Sequence, residues 1–187
     1  LAPEVAIERF KKISGNGAKC TIVCVYGNRA YEDTLVQMED VAKECGFDVI
    51  AAVAAVAEHS IMHQYAAGRP DADDEKQLET FAEQISVKEG TVTSVPGNRP
   101  YKKGGGAGLV PKVTADCVKC GLCAESCPVK AIDQHSFKAD SKSCISCMRC
   151  VSQFPHNARK VSGVMVGIVG LALKKACSLR KENELYL

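Results

Sequence analysis

The stretch "CVKCGLCAESCPVKAI", residues 117–132, holds four cysteines in the spacing C-x-x-C-x-x-C-x-x-x-C-P. A second stretch, "CISCMRCVSQFPHNARK", residues 144–160, repeats this rhythm with three cysteines. Where the fourth cysteine of the second stretch would stand, the chain has Phe154, and a proline again follows. The two stretches therefore form an internal repeat in which the second half lacks its last cysteine.

This spacing favours an iron–sulfur site. Three cysteines at two-residue gaps allow one loop to wrap a cubic cluster, and the cysteine before proline ligates the other cluster of a pair. Structural zinc is the alternative, but a zinc site is tetrahedral and typically uses paired C-x-x-C sets. Two triplets with a trailing Cys-Pro fit iron–sulfur better than zinc.

The composition excludes several other classes of protein. The chain has 187 residues and 11 cysteines, an odd number, whereas a secreted disulfide scaffold spreads an even set along a short chain. The formal net charge of +2 is too small to indicate nucleic acid as the main partner. Acidic residues outnumber basic ones in residues 1–112, and the reverse holds in 113–187, which indicates two separate units.

The expected location is the cytoplasm. The sequence shows no signal-peptide pattern. Its longest apolar run, residues 161–173, is shorter than the roughly 18–20 residues that a transmembrane helix needs. We therefore expect no membrane span.

Residues 1–89 alternate between helical and strand patterns, which predicts an α/β segment with a parallel sheet. The runs "CTIVCVY" (20–26) and "FDVIAAVAAVA" (47–57) are nearly continuous in apolar residues, as in strands covered on both faces. Helices are predicted over 2–14, 35–45 and 71–85. Because an open sheet normally has about 4–6 strands, we expect a preceding segment or another element to complete this one.

The rest of the chain divides into three parts. Residues 90–112 are rich in glycine and proline and are predicted to be a linker. Residues 113–160 form the cysteine-rich unit. Residues 161–187 are predicted to be a C-terminal helix with a polar tail. Because the helix begins apolar on every side, we expect it to be buried between the two units; the alternative is contact with a membrane.

Residues 113–160 resemble a bacterial two-cluster ferredoxin. The resemblance implies one complete 4Fe–4S cluster, held by Cys127, Cys144, Cys147 and Cys150. It also implies a second cluster, 4Fe–4S or 3Fe–4S, held by Cys117, Cys120 and Cys123 with no ligand at Phe154. His156 and Cys177 are weaker candidates for that missing ligand.

The first part of the chain resembles another family. "VYGNRAYEDTL" and "AEHSIMHQYAAGRPDADD" are similar to the last two strand-to-loop crossings of flavodoxin-like domains. Followed by a ferredoxin, they resemble the flavodoxin–ferredoxin fusion family of anaerobic bacteria. The resemblance implies FMN at the carboxyl ends of the strands, flanked by Tyr26, Gly27, Asn28, Arg29, Tyr31, Glu58 and His59. The chain lacks the phosphate-binding loop of flavodoxins, so FMN is expected in an intact parent protein; the alternative is that "GNRAYED" is only a turn and a helix cap.

These observations predict a partial flavodoxin-like parallel sheet, a two-cluster ferredoxin-like domain and a C-terminal helix. The predicted function is electron transfer through the clusters, to or from FMN, with no side chain in a catalytic role. Two alternatives are an FMN-dependent oxidoreductase fed by its ferredoxin domain and a scaffold with one structural cluster. Basic residues near the clusters are expected to offset the negative charge of the thiolate-ligated clusters and to form a docking face for an acidic redox partner (Lys119, Lys130, Arg149, Arg159 and Lys160).

Overall fold

The structure is a computed structural model that describes residues 1–102, 108–153 and 158–187. Within them, the helices are α1 (Glu4–Phe10), α2 (Thr34–Glu44), α3 (Ala72–Ser86), α4 (Leu122–Glu125), α5 (Arg149–Ser152) and α6 (Gly163–Cys177). The strands are β1 (Lys19–Tyr26), β2 (Asp48–Val56), β3 (Lys112–Val113), β4 (Arg159–Lys160) and β5 (Glu184–Tyr186).

The chain divides into two compact units. Unit 1 comprises residues 1–59, 63–104 and 175–187, and unit 2 comprises residues 60–62 and 105–174. The sequence grouped the C-terminal tail with the helix before it, but the structure places residues 175–187 in unit 1. The tail returns there because β5 pairs with the sheet of that unit.

The sheet of unit 1 has the order β1-β2-β5. β1 and β2 pair in parallel and are connected through α2, as the alternating pattern predicted. β5 pairs antiparallel to β2, with Val53 opposite Leu185. A third strand from the far end of the chain therefore extends the two-stranded sheet, which is one of the outcomes that the sequence left open.

The two parallel strands differ in burial. β2 lies between two neighbours and is buried from Ala51 to Val56. β1 lies at the edge of the sheet, and its Val23 and Val25 are 47% and 65% exposed. The expectation that both strands are covered on both faces is therefore wrong for β1, because one face of this edge strand is open.

The first part of the predicted linker is packed against unit 1. Val92 and Val95 are buried in the core formed by β1, α2 and β2, and the Val92 amide donates to the Val49 carbonyl at 2.8 Å. Gly97 has a φ of +141°, and a Cβ there would lie 2.3 Å from Cγ1 of Val36. Only glycine fits this close approach, so residues 90–97 have a defined place on the core.

Unit 2 contains short elements around the cysteines. β3 and β4 pair antiparallel, and α4 and α5 occupy equivalent positions, each containing the third cysteine of its triplet. One group of buried residues consists of Cys123, Ala124, Ile132 and Phe137. Partly buried residues pack around it: Val113, Cys117, Cys127, Ala139 and Cys150. The interior of unit 2 is thus small and rich in thiols.

Helix α6 exposes much apolar surface. Val164, Met165, Ile168 and Leu171 are each between 46% and 75% exposed. The prediction that this helix is buried does not hold for these side chains. Among the residues described, no helix is both long and apolar enough to cross a membrane.

Candidate metal centre

The two cysteine triplets adopt matched backbone conformations. Lys119 and Ser146, which precede the second cysteine of each triplet, have φ of +57° and +53°. Gly121 and Met148, which follow that cysteine, have φ of +82° and +57°. A positive φ is uncommon for residues other than glycine, and turns of this kind form concavities of backbone N–H groups that suit anions, including iron–sulfur clusters. The sequence repeat is therefore also a repeat of conformation.

The seven cysteines line two separate cavities in unit 2. Cys127 lines one cavity together with Cys144, Cys147 and Cys150. Cys117, Cys120 and Cys123 line the other. This is the grouping that crossed ligation requires, because Cys127 follows the first triplet in sequence yet lies with the second.

Local contacts support thiolate chemistry in these cavities. The backbone N–H of Ala131 points to Sγ of Cys127 at 3.3 Å, and hydrogen bonds of this type stabilise a negatively charged sulfur. Burial raises the pKa of the Cys150 thiol, and the positive charge of Arg159 partly offsets that effect. Cys120 and Cys147, by contrast, are exposed. The donors fit an iron–sulfur cluster, for which thiolates are the usual protein ligands.

Arg159 is a buried cation beside the cysteines. It is 3% exposed, and its guanidinium donates to the carbonyl oxygens of Phe137 at 2.7 Å and Pro111 at 2.9 Å. The same group lies 3.8 Å from Sγ of Cys123. Its Nε is buried without a hydrogen-bond partner among the described residues. The sequence analysis predicted Arg159 only as one of several basic residues near the clusters.

Some predicted features lie elsewhere or are not described. Phe154 and His156 fall outside the described residues. Cys177 belongs to unit 1, where it is buried and its carbonyl accepts a hydrogen bond from Asn28. In the part of the chain that the structure describes, no group of three or more His, Cys, Asp or Glu side chains has the geometry to hold a metal ion.

The loop predicted to contact FMN binds the C-terminal tail. The Asn28 amide donates to the carbonyls of Cys177 at 2.7 Å and Leu179 at 2.8 Å, and its oxygen accepts from the Lys181 amide at 3.2 Å. The Lys181 ammonium group bonds the Arg29 carbonyl. Asn28 is 2% exposed. Its polar groups are therefore committed to holding residues 177–181.

The two tyrosines of this loop are also engaged. The Tyr31 hydroxyl donates to Glu184 at 2.7 Å and lies 2.8 Å from the Tyr186 hydroxyl. Tyr31 therefore contacts two residues of β5. Burial, together with these hydrogen bonds, raises the pKa of Tyr31 well above its ordinary value. The Tyr26 ring meets the Tyr31 ring edge to face at 5.2 Å. Both rings help to pack the tail against the rest of unit 1.

Glu58 and His59 lie at the end of β2, as the sequence predicted. Glu58 accepts from the Gly68 amide at 2.9 Å and pairs with His63. His59 lies against Gly27, where a Cβ would come within 2.8 Å of its Cα, and burial lowers the pKa of its imidazole. The two loops therefore meet at the carboxyl ends of β1 and β2.

The seven residues predicted for FMN are thus close together, but their contacts fit another purpose. Asn28 and Tyr31 are bound to the tail, and Arg29 pairs with Glu32. These contacts do not fit a flavin site in this chain. FMN binding stays a prediction of the resemblance.

Comparison with known proteins identifies one domain. The model of the 4Fe-4S binding domain family matches residues 110–133, a stretch that contains the first triplet and Cys127. The chain therefore contains a ferredoxin-type 4Fe-4S domain, which implies a 4Fe–4S cluster with cysteine ligands and a role in electron transfer. No curated protein and no solved structure gave a significant match. Domains of this type usually act with redox partners.

Proposed function

We propose that this chain is an electron-transfer module with two unequal iron–sulfur sites. The site at Cys127, Cys144, Cys147 and Cys150 has four thiolates and binds a complete 4Fe–4S cluster. The site at Cys117, Cys120 and Cys123 has three thiolates. The clusters supply one-electron redox chemistry, and the chain supplies ligands, burial and counter-charge.

The observation that carries this proposal is the crossed grouping of the cysteines. Cys127 shares a cavity with the second triplet, although only three residues separate it from Cys123 and sixteen from Cys144. If the first four cysteines held a single cluster, Cys127 would be expected to line the cavity of the first triplet. The matched left-handed residues in both loops support a second site of the same kind.

The partner is proposed to be a redox protein with an acidic docking surface. Lys119, Lys130, Arg149 and Lys160 are exposed on unit 2 close to the cysteine loops. Complementary charge steers such encounters and increases their rate, and salt weakens the effect. A flavin partner is not part of this proposal, because the contacts of Asn28 and Tyr31 favour a role in holding the tail.

The test is anaerobic reconstitution with iron and sulfide, followed by analysis of iron, sulfide and visible absorption. Replacing Cys127 by Ala is expected to remove the cluster signal that depends on Cys144, and to spare the signal that depends on Cys120. Cys24→Ala, a buried thiol of unit 1, is the matched control and is expected to change neither signal. Damage confined to the Cys120 signal would contradict crossed ligation, and bound zinc with no visible absorption would contradict the whole proposal.

A further inference from the structure

The two halves of the cysteine repeat place different residues at one equivalent buried position. Aligning "CPVKAI" with "FPHNAR" sets Ile132 against Arg159. Both side chains are buried, at 6% and 3% exposure. Ile132 lines the cavity of Cys127, Cys144, Cys147 and Cys150, whereas Arg159 lines the cavity of Cys117, Cys120 and Cys123. At this position one site therefore has an alkyl group and the other has a buried cation. The four-thiolate cavity is also lined by a cation, Arg149, but that residue is exposed.

Arg159 has no carboxylate to balance its charge. In the described parts of the chain no Asp or Glu lies within ion-pair distance of it, since its partners are two carbonyls and the Cys123 sulfur, and its charge also acts on the Cys150 thiol of the other site. Residues 103–107 and 154–157, which the structure does not describe, contain no Asp or Glu. A buried guanidinium is costly unless a negative group compensates it. The thiolates are the negative groups available to it.

The unpartnered Nε strengthens this reading. The two carbonyl bonds use the terminal nitrogens and fix the plane of the guanidinium, while Nε remains buried without a partner in the described residues. A buried donor that is left unsatisfied destabilises the fold. A cation held at this cost, beside a cavity lined by three cysteines, indicates an electrostatic role in addition to packing.

From this asymmetry we infer that Arg159 raises the reduction potential of the three-thiolate site above that of the four-thiolate site, so that the added electron settles beside Cys117, Cys120 and Cys123. The inference rests on the proposed function. A positive charge nearby stabilises the more negative, reduced form of a cluster. The same site also has one thiolate fewer, because residue 154 is Phe. Both differences act in the same direction.

The experiment is a redox titration of the reconstituted chain with dithionite as the one-electron donor, followed by electron paramagnetic resonance. Cys120→Ala and Cys147→Ala assign the two signals. Arg159→Gln removes the charge but keeps an amide donor for one carbonyl. At a fixed solution potential, we expect the ratio of reduced to oxidised cluster at the three-thiolate site to fall by about tenfold, which is about 59 mV for a one-electron couple. The four-thiolate site is expected to change less.

Two further variants separate charge from structure. Arg159→Lys keeps a cation and is expected to retain most of the wild-type potential, even if it melts at a lower temperature. Lys160→Met removes an exposed charge from the adjacent residue and is expected to leave both potentials unchanged, because solvent screens that charge.

The outcomes distinguish this inference from the proposed function. Wild-type protein that assembles no cluster contradicts the proposed function. Wild-type clusters with an unchanged potential in Arg159→Gln, or with equal shifts at both sites, overturn the role of Arg159 alone. Loss of the cluster in both Arg159→Gln and Arg159→Lys also overturns it, since the side chain would then act through the fold. Loss in Arg159→Gln with retention in Arg159→Lys overturns it as well, since the charge would then be required for assembly of the cluster.

Discussion

The interiors of the two units differ in composition. Unit 1 has a core of aliphatic side chains from β1, α2 and β2, and a buried polar network fastens the tail to it. Unit 2 has cysteines where a domain of its size would have aliphatic residues, and its described strands are two residues long. Small domains of that kind usually need a metal or a disulfide for stability. The difference indicates that unit 1 folds by apolar burial, whereas unit 2 depends on iron–sulfur ligation.

The largest expected effect comes from removing the iron. Chelation under reducing conditions should unfold unit 2, because ligand binding and folding are coupled in small metal domains. Unit 1 should keep its stability. All five tyrosines lie in unit 1, so tyrosine fluorescence during urea unfolding reports on it alone, while hydrogen exchange at β3 and β4 reports on unit 2. If exchange in unit 2 stays slow after iron removal, the comparison fails.

The network on the tail tests the other half of the comparison. The Asn183 amide donates to Asp74 at 3.0 Å and Gln77 at 2.8 Å, and its oxygen accepts from the Val56 amide at 2.8 Å. Asn183→Ala removes the side-chain acceptor of the buried Val56 amide and one of several donors to Asp74, which should destabilise unit 1 by about 1–3 kcal/mol.

The measurement is the urea midpoint by tyrosine fluorescence, with cluster absorption followed in parallel. Glu182→Ala is the matched control, because the exposed pair of Glu182 with Arg180 contributes little. A loss of cluster absorption at the same urea concentration as unit 1 would show that the two units do not unfold independently.

The sequence predicted local features better than distant ones. β1 and β2 follow from two continuous apolar runs, and the cysteine motif specifies which thiols belong together. β5 was missed because three residues of "NELYL" carry no strand signal of their own; they form a strand only by pairing with β2. Likewise, the sequence around Asn28 and Tyr31 does not indicate that their hydrogen-bond partners are about 150 residues away.

The burial of Arg159 was missed for a related reason. Charged residues are mostly exposed, so a buried arginine is not expected from its identity. The repeat itself held a usable signal: the residue equivalent to Arg159 is Ile132, an apolar residue that would be expected in a core. Aligning the two half-ends before assigning surface residues would have indicated a buried position.

A smaller effect is expected from completing the three-thiolate site. Phe154→Cys supplies the ligand that the motif lacks, so iron should rise from about seven to about eight per chain, and the cluster at Cys117, Cys120 and Cys123 should resist oxygen better. Iron analysis before and after exposure to air measures both. Phe154→Leu is the control, because it changes the side chain without adding a ligand. Eight stable irons in the wild-type chain would show that another group already completes the site.

The smallest effect is the response of unit 1 to acid. Hydrogen bonds from the Lys102 amide at 2.7 Å and the Asn98 amide at 2.8 Å hold the pKa of Asp33 below its usual range, and the Arg69 guanidinium does the same for Asp74. A carboxylate whose pKa is lower in the folded state adds stability that is complete above its unfolded pKa of about 3.9 and is lost as pH falls toward the folded value. The urea midpoint of unit 1 should therefore be flat from about pH 7 to pH 5 and should decline below that.

Replacing Asp33 by Asn isolates one part of this response. The amide oxygen of the variant can accept from Asn98, but its N–H₂ group then faces the Lys102 amide, and two donors cannot bond each other. The variant should therefore be less stable at pH 7, and its stability should fall less steeply in acid. Asp73→Asn, at an exposed position of α3, should leave the acid response unchanged. An Asp33→Asn variant whose midpoint declines as steeply as that of the wild-type chain would mean that other carboxylates account for the response. Asp74, buried against Arg69, would then be the next to replace, because its ion pair with Arg69 also requires an ionised carboxylate.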